Sequence, residues 1–111
     1  MAKGDWLGEF EQIVMLAVLR LGEDAYGMEV RREIAQRTGR DAAIGAVYAT
    51  LERLREKGLL RASEAASDNQ TGRLRRAYQV TAEGRQALDQ ALAAVAKMRE
   101  GVRLNPGKAT L

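Results

Sequence analysis

Three arginines stand together in the segment TGRLRRAYQVT, residues 71–81, just before an alternating stretch of the chain: Arg73, Arg75 and Arg76. The guanidinium group is planar, permanently charged and matched in shape to the oxygens of a phosphate. A run of charge in a small domain is more often a solvated face. The segment therefore leaves two alternatives, a hydrated hairpin tip or a contact to a polyanion, and the neighbouring elements have to decide between them.

The remaining composition argues against catalysis. The chain contains no His and no Cys, which removes the commonest general base, the commonest metal ligand and every thiolate nucleophile. It also lacks a nucleophile-elbow motif and a glycine-rich phosphate loop. The paired carboxylates Glu9/Glu11 and Glu23/Asp24 lie near predicted helix starts, where the helix dipole favours them in any case. We therefore expect no enzyme activity, no cofactor and no metal site.

Length and charge suit one small domain. The chain has 111 residues, and 18 Lys and Arg against 15 Asp and Glu give a net charge of +3. So small an excess says less about a partner than the positions of the charges do. The start of the chain lacks the pattern of a signal peptide, and the apolar run at residues 13–19 is far shorter than the roughly 20 residues that span a bilayer. We expect a soluble, cytoplasmic protein without a membrane segment.

Apolar residues at helical spacing predict three helices, over residues 8–21, 25–38 and 44–57. Asp24 is the expected N-cap of the second helix and Gly39 its expected C-terminal cap. The first helix is apolar on more than one side, so it needs more than one partner surface. In the third helix, Val47, Leu51 and Leu54 form the predicted buried row.

The period changes after the third helix. Residues 59–65 and 73–80 read as strands, and the turn-forming residues 66–72 between them predict a hairpin. Tyr78 and Val80 fall on one face of the second strand. Thr81 is a suitable N-cap for a last helix over 82–102.

This order of elements predicts a mainly α fold of the α+β type. It is a winged helix-turn-helix: three helices, then a β-hairpin wing, then a C-terminal dimerisation helix. The predicted organisation is a DNA-binding domain over 1–80, a dimerisation helix over 81–102 and a flexible tail over 103–111. In such folds the third helix enters the major groove.

Three motifs resemble the PadR-like family of winged-helix transcriptional regulators: DAYGMEV at 24–30, GAVYATLERLREKGLL at 45–60 and RRAYQVTAEGRQAL at 75–88. The resemblance covers residues 7–100, and the chain resembles the short subfamily without an extra C-terminal helical domain. It implies DNA binding, usually repression, and a final helix that exchanges contacts with a partner subunit. In several members, a small molecule releases the DNA. Ala43 and Ala49 replace a Ser and a Pro that are frequent in the family.

The residues predicted to contact DNA are Gly45, Ala46, Tyr48, Ala49, Thr50, Arg53, Arg73 and Arg75. The small residues suit contacts to thymine methyl groups and close approach of backbone N–H groups to a phosphate. The family position that matches Tyr48 contacts the DNA backbone; the alternative is an ordinary half-buried aromatic. Arg53 either binds a phosphate or pairs with Glu52 or Glu56. Arg73 and Arg75 would line a wing tip along the DNA, whereas Arg76, on the Tyr78 side, is the structural one.

The residues predicted to form a homodimer interface are Phe10, Leu88, Leu92, Val95, Met98 and Val102. They lie on the first helix and along a seam of near-heptad spacing on the last. Trp6, Met15 and Met98 are the candidate lining of an effector pocket between subunits. The alternatives are that Trp6 only staples the N-terminus to the partner and that the methionines only fill the core.

These expectations combine into one function. The chain is predicted to be a sequence-specific DNA-binding transcriptional regulator: a homodimeric repressor on an inverted-repeat operator, released by a small-molecule effector of unknown identity. The alternative is a winged-helix module that docks protein or RNA without operator specificity.

Overall fold

The structure is a computed structural model that describes residues 6–63, 66–67 and 74–105. Its helices are α1 Glu9–Leu21, α2 Gly27–Thr38, α3 Ile44–Glu56 and α4 Ala82–Arg99; its strands are β1 Leu60–Ala62, β2 Ala66–Ser67, β3 Leu74–Arg75 and β4 Tyr78–Val80. The predicted fold class is confirmed: the chain is mostly helical, with an antiparallel hairpin between its third and fourth helices.

The start of α2 differs from the prediction. Asp24 lies in a short 3-10 turn over residues 22–24, and Tyr26 takes the N-cap position without a side-chain cap. The reason lies in the hairpin, because the backbone N–H of Tyr78 donates to the Ala25 carbonyl at 2.9 Å and Tyr26 forms a bridge with Ala77. These bonds hold Tyr26 in an extended conformation and Ala25 outside the helical region, so the helix begins later. The other end is as expected, with Gly39 in the left-handed conformation at φ 72°.

The hairpin forms two short ladders where the sequence predicted two longer strands. The inner ladder pairs β1 with β4, with Leu60 opposite Val80 and Ala62 opposite Tyr78. The outer ladder pairs β2 with β3. Tyr78 and Val80 are buried while Gln79 is exposed, so the predicted alternation is confirmed.

One apolar core joins all the helices and the inner ladder. Val14 and Val18 of α1, Ile34 of α2 and Leu51 of α3 are at most 2% exposed. The first half of α4 belongs to the same core through Ala87, Leu88 and Ala91. The predicted division of the chain at residue 80 stays a prediction, although this half of α4 packs with the winged helix.

The beginning of α4 lies directly against the hairpin. The Thr81 hydroxyl accepts a hydrogen bond from the Gly84 N–H at 3.0 Å, which confirms Thr81 as the N-cap. A Cβ at Gly84 would lie 2.1 Å from the carbonyl oxygen of Leu59, so the absent side chain is what permits the close approach. The helix ends at Arg99, earlier than the predicted residue 102. Across the described ranges, no helix has the length and apolar character that crossing a bilayer requires.

Candidate nucleic-acid interface

Helix α3 presents a flat, small-residue face to solvent. Gly45, Ala46 and Ala49 are exposed, while Val47, Leu51 and Leu54 anchor the opposite side in the core with no exposed surface. Ala43 occupies the N-cap position and makes no side-chain cap bond. The first backbone N–H groups of the helix therefore lack a side-chain cap, and the small side chains beside them leave room for an anion.

Thr50 does not lie on this face. The residue is 3% exposed, and its hydroxyl accepts a hydrogen bond from Arg53 Nη2 at 3.4 Å. The prediction that Thr50 touches a base is therefore wrong. Thr50 lies at the edge of the buried row of α3.

Tyr48 lies at one flank of the small-residue face, across α2. Its side chain fills the space above Gly27, where an added Cβ would come within 2.3 Å of Tyr48 Cε1 and 2.8 Å of its hydroxyl oxygen. The residue nevertheless remains 43% exposed. The ring is thus supported from below by a glycine while part of it faces solvent, which suits a residue with an apolar body and a polar tip.

Arg53 lies on the same face, one turn beyond Ala49, and pairs with a residue near the N-terminus of α1. Its Nε donates to Glu11 Oε2 at 3.2 Å, and the Lys57 ammonium donates to the same oxygen at 3.3 Å. The sequence offered Glu52 and Glu56 as ion-pair partners, and the structure instead pairs Arg53 with Glu11. Burial by itself raises the pKa of the Glu11 carboxyl, but hydrogen bonds from Gly8, Arg53 and Lys57 together lower it below its ordinary value.

The wing arginine that the structure describes packs onto α2. The Arg75 guanidinium lies 4.0 Å from the centre of the Tyr26 ring, and its Nη2 donates to Glu29 Oε1 at 3.0 Å. Its side chain is 41% exposed. Arg73, the second predicted wing contact, lies outside the described residues.

A second carboxylate joins α3 to the base of the wing. The Tyr78 hydroxyl donates to Glu52 Oε2 at 2.7 Å, Arg55 Nε donates to Glu52 Oε1 at 3.0 Å, and Arg76 lies 3.9 Å from Glu52. The hydrogen bond from Tyr78, followed by that from Arg55, lowers the pKa of Glu52. Burial, followed by the hydrogen bond to Glu52, raises the pKa of Tyr78. Arg76 thus lies beside the Tyr78–Glu52 pair with 44% of its side chain exposed, and its predicted structural role stays a prediction.

The structure exposes some of the predicted interface and pocket residues and buries others. Leu92, Val95 and Met98 of α4 and Val102 beyond it are exposed by 39%, 62%, 80% and 46%. Leu88 instead lies in the core, which removes it from the exposed seam.

The N-terminal candidates are divided in the same way. Phe10 is partly buried, with the Arg40 guanidinium 5.7 Å from its ring centre. Met15 has no exposed surface, so it cannot line an open pocket, whereas Trp6 is 54% exposed. Two grooves lie on the described surface: one of about 400 Å³ between α1, the inner ladder and Arg85, and one of about 240 Å³ between α1 and α2. Neither is lined by Trp6 or Met98.

The sequence did not predict the two carboxylates that hold predicted DNA contacts, Glu11 and Glu29. The expected role of Glu11 was confined to the helix dipole, and its partner Arg53 is 42 positions away. Glu29 and Arg75 are 46 positions apart. No local spacing links such residues, so only the crossing of the helices brings them together.

Comparison with known proteins agrees with this geometry. The sequence model of the Transcriptional regulator PadR-like family matches residues 15–90. A PadR-like transcription factor from Bacteroides fragilis has a similar solved structure, with a TM-score of 0.68 and 25% identity over 82% of this chain and 84% of that one. The structure of RosR from H. salinarum has a TM-score of 0.64 and 25% identity over 91% of this chain and 84% of that one.

A more distant structure shares the fold alone. BpsR of Bordetella bronchiseptica, whose DNA binding is regulated by 6-hydroxynicotinic acid, has a TM-score of 0.62 and 20% identity over 98% of this chain and 76% of that one. Comparison with proteins of curated function gives no significant sequence match.

Proposed function

We propose, because this chain belongs to the PadR-like family of transcriptional regulators, that it is a homodimeric repressor that binds an inverted-repeat operator in double-stranded DNA. The observation that carries the proposal is the exposed small-residue face of α3, with Tyr48 at its flank and Arg53 one turn beyond Ala49. A face of this kind allows a helix to lie deep in the major groove, since no bulky side chain holds the helix away from the base edges.

The contacts available to α3 define the kind of specificity. Ala46 and Ala49 offer only methyl groups, which suit the thymine methyl, and neither can form the bidentate pair that an arginine makes with guanine. Tyr48 and Arg53 serve phosphates on either side of the groove. Much of the discrimination would then come from DNA shape and from the symmetry of the operator.

The wing adds a phosphate contact of a different kind. Arg75 is held by Glu29 and Tyr26 in the structure, and on DNA its guanidinium exchanges the carboxylate for a phosphate. The exposed pair with Glu29 is worth little in water, so this exchange has a small cost. Arg73 is proposed to act beside it.

The proposal also includes a small-molecule effector. DNA binding by BpsR responds to 6-hydroxynicotinic acid, and a small molecule here would lodge between α1 and α4 of the two subunits. Trp6 and Met98 are exposed and remain candidates, while the buried Met15 does not.

The proposal is tested by selecting bound duplexes from a random DNA pool. We expect an inverted repeat with half-site centres about 34 Å apart, one turn of the double helix. Recovery of no common sequence, or salt-independent binding, would support the alternative of a protein- or RNA-docking module instead.

Reversing the charge of the wing should reduce affinity for all duplexes. Arg75→Glu removes one phosphate contact, so the slope of log affinity against log salt should become shallower by about 0.9 for each wing. Fluorescence anisotropy over a salt series measures this slope. Arg61→Glu is the matched control, since Arg61 is an exposed arginine on β1 whose Nε donates to Gln79 Oε1. If the salt slope of Arg75→Glu were as steep as that of the control and of the wild type, Arg75 would not contact DNA.

Adding one methyl group at Gly27 should weaken operator binding as much as removing the Tyr48 side chain. The new Cβ would lie 2.3 Å from Tyr48 Cε1, so the ring must swing away from its support. A hydrogen bond to a charged group contributes about 1.5–3 kcal/mol, which corresponds to roughly a 10- to 100-fold loss of affinity. Gly27→Ala, Tyr48→Phe and Tyr48→Ala are compared by anisotropy at matched salt.

The double variant Gly27→Ala with Tyr48→Ala supplies the control for this pair. Once the ring is absent, the three atoms nearest to the added methyl, all of Tyr48, are gone, so the double variant should bind no worse than Tyr48→Ala. Additive losses would show that Gly27 acts independently of Tyr48.

A further inference from the structure

We propose that Glu11 and Thr50 are positioning residues for Arg53: together they hold its guanidinium so that the outer edge of the group meets one DNA phosphate beside α3. The inference rests on the proposed DNA-binding function and adds to it a specific contact and the two side chains that aim it. Neither Glu11 nor Thr50 touches DNA in this arrangement.

The Glu11 carboxylate is held by groups other than Arg53. Its Oε1 accepts the backbone N–H of Gly8 at 2.9 Å, which ties it to the first turn of its own helix. Its Oε2 accepts from Arg53 Nε and Lys57 Nζ. Only 10% of the side chain is exposed, so the carboxylate has a single well-defined position at the junction of α1 and α3.

Arg53 is held along one edge of its guanidinium. Nε donates to Glu11, and Nη2 donates to the hydroxyl of Thr50. These two atoms form the side edge of the planar group, and the other edge, formed by Nη1 and the second hydrogen of Nη2, takes no part in these two bonds. The side chain is 51% exposed, and in the proposed arrangement this outer edge is the part that meets the phosphate.

An edge of this shape binds two oxygens of a phosphate at once. Arg53 follows Ala46 and Ala49 by seven and four positions, which places it one to two helical turns along the same side of α3. The strand of DNA that borders the major groove passes beside a helix at such a position. A guanidinium already held in one rotamer loses less conformational freedom on binding than a mobile one.

The local charge favours an anion in spite of the carboxylate. Glu11 is shared by two cations, Arg53 and Lys57, so the cluster keeps a net positive charge. Lys57 has 37% of its side chain exposed and adds to the potential at the same flank. The carboxylate orients the arginine while the second cation offsets its repulsion of a phosphate.

The experiment is a scan of the operator with single methylphosphonate linkages, which remove the charge of one phosphate at a time. For the wild-type protein, one such position in each half-site should reduce affinity about tenfold, as loss of a charge-assisted hydrogen bond implies. In Arg53→Ala, the same substitution should have no effect. In Glu11→Gln and in Thr50→Val, the penalty at that phosphate should shrink to about threefold or less, while the penalties at all other phosphates stay as in the wild type.

Two features of the design separate positioning from simple stabilisation. Thr50→Val keeps the volume of a buried side chain, so it should fold even if Glu11→Gln does not. Glu9→Gln is the matched control: it also removes an α1 carboxylate that pairs with an arginine, Arg40, at 2.8 Å, and it should leave the scan unchanged.

The outcomes are distinguishable. If Glu11→Gln and Thr50→Val both reduced the methylphosphonate penalty equally at every phosphate, or at none, the cluster would only tie α1 to α3. That result would overturn the inference. A wild-type protein that binds the operator without any phosphate that depends on Arg53 would overturn the inference and leave the proposed function standing. A wild-type protein that selects no duplex would overturn both.

Discussion

Leu92→Glu combined with Val95→Glu is expected to convert the protein to a monomer and to abolish tight binding to a two-half-site operator. Leu92, Val95 and Met98 form an exposed apolar strip on the outer half of α4. Burial of such a side chain contributes about 1.5–3 kcal/mol, and a symmetric interface would bury each of them twice. Four carboxylates in the same interface would have to lose their hydration without a partner, which no small apolar contact offsets.

The effect on DNA binding follows from linkage of the two half-sites. Two recognition helices on one dimer bind with an avidity about 10² to 10⁴ times that of one helix alone. Sedimentation at micromolar concentration and anisotropy on the full operator measure the two losses together. Gln90→Glu with Ala93→Glu is the matched control, because both residues are exposed on α4, away from the apolar strip. A monomeric wild type that bound a single half-site with full affinity would contradict the dimer.

Gly84→Ala is expected to destabilise the whole domain. The added Cβ would lie 2.1 Å from the carbonyl oxygen of Leu59, 3.0 Å from its carbonyl carbon and 2.9 Å from Val80 Cγ1. Two of these three atoms belong to the backbone, and the Leu59 carbonyl also accepts the N–H of Thr81 at 3.1 Å, so it has no free path away. Overpacking of this kind costs about 1–3 kcal/mol, more than the roughly 1 kcal/mol by which Ala is favoured over Gly in a helix.

Urea unfolding measures the change, and Gly45→Ala provides its counterpart. A Cβ at Gly45 would meet no atom within 4 Å, so the free energy of unfolding should stay the same or rise slightly. If the two variants unfolded at the same urea concentration, the contact between α4 and the hairpin would have no energetic importance.

The contrast between these glycines shows what the sequence could predict. Periodicity placed the helices and the hairpin, because a stripe of apolar residues reports directly which side of an element is buried. The caps at Thr81 and Gly39 were predictable for the same reason, since each satisfies a local backbone requirement. Nothing in the sequence distinguished Gly84 from Gly45, because the difference lies in the carbonyl of Leu59, 25 positions earlier in the chain.

The errors at the candidate site have a similar origin. Thr50 lies at the boundary of the buried row, and whether a boundary residue is covered depends on where the neighbouring helix crosses. Here α1 crosses on that side, so Thr50 is inside and Arg53 meets Glu11. The local sequence favours Asp24 as an N-cap. The hydrogen bond from the Tyr78 N–H to the Ala25 carbonyl instead delays the start of the helix.

Helix α4 is a rod fixed at one end. Gly84, Ala87, Leu88 and Ala91 hold its first half in the core, and its second half carries the exposed side chains of Leu92, Val95 and Met98. The eight residues that follow Ala91 in the helix span about 12 Å, so a bend of roughly 10° at the edge of the core moves the end of the helix by about 2 Å. A small change in the packing around the buried half of α4 is therefore enlarged at its exposed apolar strip, since the strip lies farther from the core than the residues that fix the helix.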